Sequence, residues 1–235
     1  MIRADVAVAA CADLFRGDGE IVASPMGYIP ALGARLARLT FEPDLLLSDG
    51  EAYLLDADGT LEGWQPFRKV LDTVVPRGKR HVVMGANQID RHGNQNISAI
   101  GEHAQPKRQL LGVRGGPGNT VNHRTSYWVP RHSTRIFVDQ VDVVSGVGYE
   151  RGAGQRFHDV YRVVSNLGVI DFGGADHAPR LLSVHPGVTV DEVVSATSFE
   201  LDVSGTAETR TPTDEELRLI DSLDPKSLRD KEVPS

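Results

Sequence analysis

The chain has 235 residues, 40% of them apolar, enough for one large core or at most two small ones. Its formal net charge of -7 argues against a general binder of nucleic acid or of an anionic membrane, whose attraction to phosphate needs an excess of Lys and Arg. Local basic clusters, Arg77, Lys79 and Arg80 or Lys107 and Arg108, still leave room for a small anionic ligand.

The opening MIRADVAVAAC sets small residues before Cys11 in the manner of a lipoprotein signal, yet it carries Asp5 and an apolar run of only about seven residues. It reads better as an amphipathic first helix ending at Gly17. A single cysteine cannot form an internal disulfide, which fits a reducing cytoplasm, and no run approaches the length needed to span a bilayer. GEIVAS then reads as a short strand and PMGYIPALGARLARL as a helix entered through Pro and Gly. In EPDLLLSDGEAYLL, residues 42–55, the run Leu45, Leu46, Leu47 suits a parallel strand covered on both faces. That strand finishes in Ser48, Asp49, Gly50 and Glu51. Ligands of α/β sheets gather beyond the carboxyl ends of the strands, so this polar end is a candidate site; an Asp-Gly turn is the simpler reading of the same residues.

Residues 65–75, QPFRKVLDTVV, read as a helix, and HVVMGA as a strand after the basic turn PRGKR. From Gly93 to Arg124 the chain is rich in Gly, Asn and His with little periodicity and is expected to be mostly loop, of a length that tends to be functional. Within it, GVRGGPGNTVNH places glycines at 112, 115, 116 and 118. They permit close backbone approach and positive φ, so that consecutive amides can point at one anion or carbonyl oxygen. The same cluster fits a plain flexible loop equally well. TRIFVDQVDVVS, residues 134–145, is β-rich, DVYRVVSNLGVIDF predicts a hairpin about Asn-Leu-Gly, RLLSVHPG is a strand and FELDV a final strand. Thr189 with Glu192, and Thr213 with Glu216, have capping-box spacing, and Asp214 and Glu215 add favourable charge at the positive helix end. One α/β domain over 1–224 is expected, with a loosely held polar tail over 225–235.

The eight histidines lack zinc-ligand spacing, so no metal is expected, and no nucleophile elbow, Walker A loop or dinucleotide fingerprint is present. The order of segments is more informative. MGANQIDRHGNQN at 84–96 resembles the Gly-Ala-x-x-x-Asp-x-x-Gly-Asn-x-Asn segment of class I coenzyme A transferase β subunits, particularly the glutaconate-type branch, and GGPGN at 115–119 resembles their glycine loop. RIFVDQVDVVS, HPGVTVDEVVSATSFEL and TPTDEELRLIDSLDP resemble the later units, so the likeness runs through nearly the whole chain in order.

This resemblance implies an open mixed β-sheet with flanking helices, shared with ribose-5-phosphate isomerase-like proteins. It also implies an α subunit of similar fold, with the active site between the two in an α2β2 assembly. In the transferases a β-subunit glutamate at a strand end attacks the acyl-CoA thioester. Aligning Gly50 with the motif glycine puts Ser48 in that place, and a serine cannot carry CoA as an exchangeable acyl thioester. Glu51 lies three residues on, about 10 Å of extended chain, too far to substitute without a rearranged turn. The sequence is similar in this departure to a hydrolase branch of the family, whose heteromers open the last ring in bacterial steroid (cholesterol) degradation. The resemblance then implies water-driven carbon-carbon cleavage of a cyclic β-keto acyl-CoA, with no cofactor because CoA is part of the substrate. The base would come from the α subunit, and Ser48, Asp49 and Glu51 would position water or substrate. Gly50, Gly115, Gly116, Gly118 and Asn119 would line the acyl pocket. Arg124, Arg131 and His132 would aid anion binding or simply be surface charges. A true transferase using Glu51, or a non-catalytic scaffold for the α subunit, are the competing readings.

Overall fold

The computed structural model describes residues 3–50, 53–64 and 77–233. Glu51 and the helix expected over 65–75 lie outside them. The first helix, α1 (Arg3–Asp13), departs from the expected amphipathic pattern, because every residue from Ala4 to Ala12 is buried. Its small side chains let the next helix, α2 (Tyr28–Thr40), come so close that a Cβ on Gly33 would stand 2.7 Å from the Cys11 Cβ. Pro30 falls in the first turn of α2, where its missing N–H removes no helical hydrogen bond.

Strand β1 (Val22–Pro25) separates these helices, and β2 (Leu46–Ser48), β3 (Tyr53–Leu55), β4 (Leu61–Trp64) and β5 (Arg80–Gly85) follow. Two small ladders come next, β6 (Gln88–Ile89) with β7 (Gln95–Asn96) and β8 (Ala99–Ile100) with β9 (Arg108–Gln109). Then come α3 (Gly116–Asn122), β10 (Arg124–Val129), α4 (Tyr149–Gly152), β11 (Asp159–Ser165), β12 (Gly168–Asp171) and β13 (Arg180–Val184). The chain closes with α5 (Val190–Ser195), β14 (Ala207–Glu208), α6 (Asp214–Leu223) and α7 (Arg229–Glu232). Ten strands share one sheet in the order β14-β13-β12-β11-β10-β5-β1-β2-β3-β4. The central five, β11 to β2, run parallel, and antiparallel pairs flank them on both sides. This is the expected open mixed sheet, and the β11–β12 hairpin turns at Asn166 and Leu167 as expected.

Alternation along the strands gives the sheet two cores. Ala23, Leu47, Val83 and Trp128 face α1 and α2, whereas Val82, Met84, Tyr127 and Val163 face the segments after β5 and the α5 region. Both capping boxes form, Thr189 with Glu192 at α5 and Thr213 with Glu216 at α6.

Several expectations are corrected. Leu46 is 42% exposed, so β2 is covered on only one face by the described residues. Residues 134–145 form no strand; Phe137 is buried by stacking on His132, 3.8 Å between ring centres, and a single bridge to Ile89 replaces a ladder. FELDV makes one bridge, Asp202 to Arg180, because Phe199 and Leu201 turn inward and the Asp202 carboxylate caps a turn at Ser204; the edge strand is β14. Part of the expected glycine loop is the helix α3, with Pro117 in its first turn and Thr120 tied to the Val147 amide at 2.9 Å. The tail is not loose up to residue 233. Arg229 pairs with Asp5, Asp221 and Asp224, Trp128 Nε1 donates to Glu232 at 2.6 Å, and Val233 is buried. Among the described residues no helix is long and apolar enough to cross a membrane.

Candidate active site

From β1 the chain proceeds to β2 on one side, and it later returns to β5 on the other side of β1. Such a reversal opens a crevice past the carboxyl ends of the strands. Here it holds a cavity of about 900 Å³, floored by Met26, Gly50 and Gly85 and walled by Gln95, Ile97 and the 108–116 segment. A wider groove of about 1290 Å³ runs past Asp90, Glu150 and Asp202, but it mixes both charges and contains none of the site residues expected from the sequence.

Ser48, at the end of β2, is directed into a hydrogen-bond chain beneath this cavity. Ser24 Oγ lies 2.9 Å from Ser48 Oγ, Ser48 Oγ donates to the Ala23 carbonyl at 3.1 Å, and Arg80 Nε donates to Ser24 Oγ at 2.8 Å. Each hydroxyl has one proton, so the direction is forced: Arg80 gives to Ser24, Ser24 to Ser48, and Ser48 to backbone. The Ser48 proton is therefore committed to a carbonyl, with no base in hydrogen-bond contact among the described residues. Gly50 closes the turn with φ 89°, its amide donating to Ser48 Oγ at 3.2 Å and its carbonyl accepting from Arg80 at 3.2 Å. A side chain there would crowd Met26 and the Pro25 carbonyl. Asp49 folds back over the turn, its carboxylate accepting from the Tyr53 amide at 3.1 Å.

Arg80 leaves the sheet at the start of β5 and lies along its face, reaching Ser24, Gly50 and, at 3.0 Å, Asn119 Oδ1. Burial lowers its pKa to about 10, still a cation at neutral pH. His123 is fully buried with neither ring nitrogen hydrogen-bonded; desolvation and the Arg80 charge hold it at about 4, so it is neutral. With Arg80, Arg108 and Arg114 and no Asp or Glu among its described lining residues, the cavity is electropositive in an acidic protein.

Gly115, Gly116 and Asn119 also line the cavity, whereas Gly118 does not. None of the glycines at 112, 115, 116 and 118 has positive φ; Arg114 does, at 38°. The tight residue is Gly112, where a Cβ would meet the Ile97 carbonyl oxygen. Arg124 sits apart from the cavity, bonded to Asp18 at 2.8 Å and Asp159 at 2.9 Å. His132 is buried between Ser165 and Thr197, and Arg131 is exposed. Asp18, His81 and Ser126 form a further chain at 2.6 and 2.9 Å that has the connectivity of a hydrolytic triad. His81 and Ser126 are fully buried, so no substrate reaches them. Among the described residues no group of His, Cys, Asp or Glu could hold a metal.

Ser24, Met26, Gln95 and Ile97 are cavity or network residues that sequence reasoning does not single out. Of the two basic clusters, Arg80 and Arg108 reach the cavity. MGANQIDRHGNQN proves to be a scaffold for its wall: Asp90 accepts from the His92 and Asn94 amides, Asn96 bonds Gln88 at 2.7 Å, and Gln95 bonds the Gly85 carbonyl at 2.6 Å. The other amide atom, Gln95 Oε1, is buried without a partner at the cavity.

No family model matches the chain. It is 62% identical to the cholesterol ring-cleaving hydrolase IpdB subunit of Rhodococcus jostii, over 98% of this chain and 96% of that protein. To the IpdB subunit of Mycobacterium tuberculosis it is 57% identical over 99% of each. The crystal structure of Rhodococcus jostii RHA1 IpdAB superposes with a TM-score of 0.94 at 60% identity, over 100% of this chain and 99% of the other. The fold alone is shared with glutaconate coenzyme A-transferase from Acidaminococcus fermentans, at TM-score 0.81 and 20% identity over 94% of each chain. The cavity thus belongs to a transferase-type fold, and by its near-full-length identity the chain is a member of the IpdB-subunit family of the cholesterol ring-cleaving hydrolase.

Proposed function

We propose that this chain, with an α subunit of the same fold in an α2β2 assembly, hydrolyses a carbon-carbon bond in the ring of a cyclic β-keto acyl-CoA derived from a steroid such as cholesterol. Water adds to the ring ketone; the adduct then collapses to a carboxylate as the bond to the carbon beside the thioester breaks. The electron pair passes into the thioester enolate, and that carbon takes up a proton. No acyl-enzyme is needed, only a base and fixed positive charge where oxyanions develop. The observation that carries this reading is the cavity itself. Its described lining holds three arginines and no carboxylate, and the hydroxyl at position 48 is committed to backbone. The base is a carboxylate of the α subunit. Ser48 and Asp49 shape the turn below the cavity, and Gly115, Gly116 and Asn119 bound the acyl group. No cofactor takes part, CoA belonging to the substrate, and the buried free thiol of Cys11 suits work in the cytoplasm.

The test is turnover by the assembled α and β chains in oxygen-18 water, with hydroxylamine trapping in parallel. One labelled carboxylate oxygen in the ring-opened product and an unmodified Glu51 are expected. Unlabelled product together with a Glu51 adduct would instead make the assembly a CoA transferase.

A further inference from the structure

We infer that Ser145, buried behind the cavity rather than lining it, is a positioning residue of the acyl-CoA site: its hydroxyl holds Ile97, and Ile97 holds the wall made by residues 110–116. The inference rests on reading the cavity as an acyl-CoA site and adds to it the part that fixes one side.

Residues 108–116 line the cavity without a break, and 110–115, between β9 and α3, lie in neither strand nor helix. The first half of this wall is bonded to one neighbouring segment. Gln109 pairs with Ala99, the Leu110 amide donates to the Ser98 carbonyl at 2.9 Å, and the Gly112 amide donates to the Ile97 carbonyl at 2.8 Å. Gly112 is packed so closely on Ile97 that a Cβ there would overlap its carbonyl oxygen. At the far end, a Cβ on Gly116 would stand 3.5 Å from both Ile97 Cδ1 and the Ser145 carbonyl oxygen. The wall is wound about Ile97, so the position of Ile97 sets the position of the wall.

Ile97 stands where a ladder runs out. Strand β7 pairs with β6 only through Asn96, so the next amide needs another acceptor. Ser145 Oγ provides it at 3.0 Å and lies 2.7 Å from Ser98 Oγ. The anchor is itself fixed. Ser145 is 2% exposed, the Ser145 and Gly146 amides both donate to the Gln95 carbonyl, at 2.8 and 3.0 Å, and the Gln95 amide donates back to the Gly146 carbonyl at 2.9 Å. Ser145 is the last residue of the β-branched run 134–145 that forms no strand, and this contact is what the run delivers to the site. Without the hydroxyl the Ile97 amide turns to water or stays unpaired, and either change releases the wall. A wall that each ligand must order anew binds that ligand more weakly.

The experiment compares the assembled enzyme with Ser145→Ala and Ser98→Ala, two losses from the same buried hydroxyl pair of which only the first frees the Ile97 amide. Hydrogen exchange is followed without ligand in peptides covering 108–116. Cyclohexanecarbonyl-CoA, which has no ring ketone to be attacked, is titrated calorimetrically. Ser145→Ala is expected to exchange about tenfold faster in 108–116 and to bind the thioester about tenfold more weakly, while Ser98→Ala stays within about twofold of the unmodified enzyme in both. The dissociation constant is read from competent sites and the stoichiometry counts them, so a role confined to folding would lower the stoichiometry alone. Unchanged exchange in Ser145→Ala, or equal changes in the two variants, overturns the tether. Faster exchange with unchanged affinity overturns the role in binding while the acyl-CoA reading stands. An unmodified enzyme that does not bind the thioester rejects that reading and this role with it, whatever the exchange shows.

Discussion

Ser48 and Arg80 are separated by one hydroxyl, that of Ser24, in steps of 2.9 and 2.8 Å. A longer acidic side chain at 48 would therefore reach the guanidinium and pair with it. Ser48→Glu is expected to weaken acyl-CoA binding by the assembled enzyme about tenfold or more in a calorimetric titration, because the new carboxylate takes the Arg80 charge away from the cavity; unchanged affinity would show that the carboxylate does not reach Arg80. The departure at Ser48, the cluster containing Arg80, and the turn at Gly50 were all visible in the sequence, because each is a local feature of a strand end. That Arg80 spends its Nε on Ser24, 56 positions away, was not, since only the pairing of β1 with β5 brings them together. The same holds for Arg124, a plain basic residue in sequence, which the fold assigns to Asp18 and Asp159 instead of a ligand.

At the end of β11, Ser165 joins two buried imidazoles. His132 Nδ1 lies 2.9 Å from its hydroxyl, and His185 Nε2 lies 2.8 Å from its carbonyl. Burial lowers His132 to about 3 and, as its main cause, His185 to about 4, both below the ordinary value of about 6.5. Between about pH 6.5 and 4 the unfolded chain therefore binds protons that the folded one refuses. The stability associated with the neutral rings is complete above that window and lost as pH falls through it, at up to about 1.4 kcal/mol per pH unit for each ring. Urea midpoints of the assembly should fall from pH 6.5 to 4, and His132→Gln should flatten the slope by about one proton; an equal slope would mean that His132 titrates normally. The hairpin leading into this junction and the two capping boxes were legible because turn and cap chemistry is contained within a few residues. The segment 134–145 was not, because its β-branched composition is used to bury single side chains against His132 and Ile89 rather than to pair a strand. Likewise α3 was hidden by glycines of low helix propensity, and is held by the Arg80–Asn119 and Thr120–Val147 contacts made at a distance.

The two ends of the chain meet on the side of the sheet opposite the cavity, where α1 and α2 pack against α6 and α7. Arg229 is the fastening: it bonds Asp5 in the first helix at 2.9 Å, Asp221 in α6 at 2.6 Å, and Asp224 at 3.3 Å. Asp224 also accepts from Tyr28 at 2.7 Å and from the amides of Leu228 and Arg229, so the second helix and the last turn converge on one carboxylate, and Arg229 ties the first helix to it through Asp5. These residues lie up to 224 positions apart, which is why composition alone made the C-terminal segment look like a free tail. Because Asp5 and Asp224 are buried, removing the cation strands negative charge in the interior, a loss of about 3–5 kcal/mol for a broken buried pair. Arg229→Ala should therefore lower the thermal midpoint of the assembly, and Arg229→Lys should recover part of the loss by keeping charge without the three-way fork. The site lies on the other face of the sheet, so the affinity of the folded assembly for an acyl-CoA should stay unchanged in both variants. A midpoint that does not move in Arg229→Ala would show that the ends are held together by the apolar contacts of α1 and α2 alone.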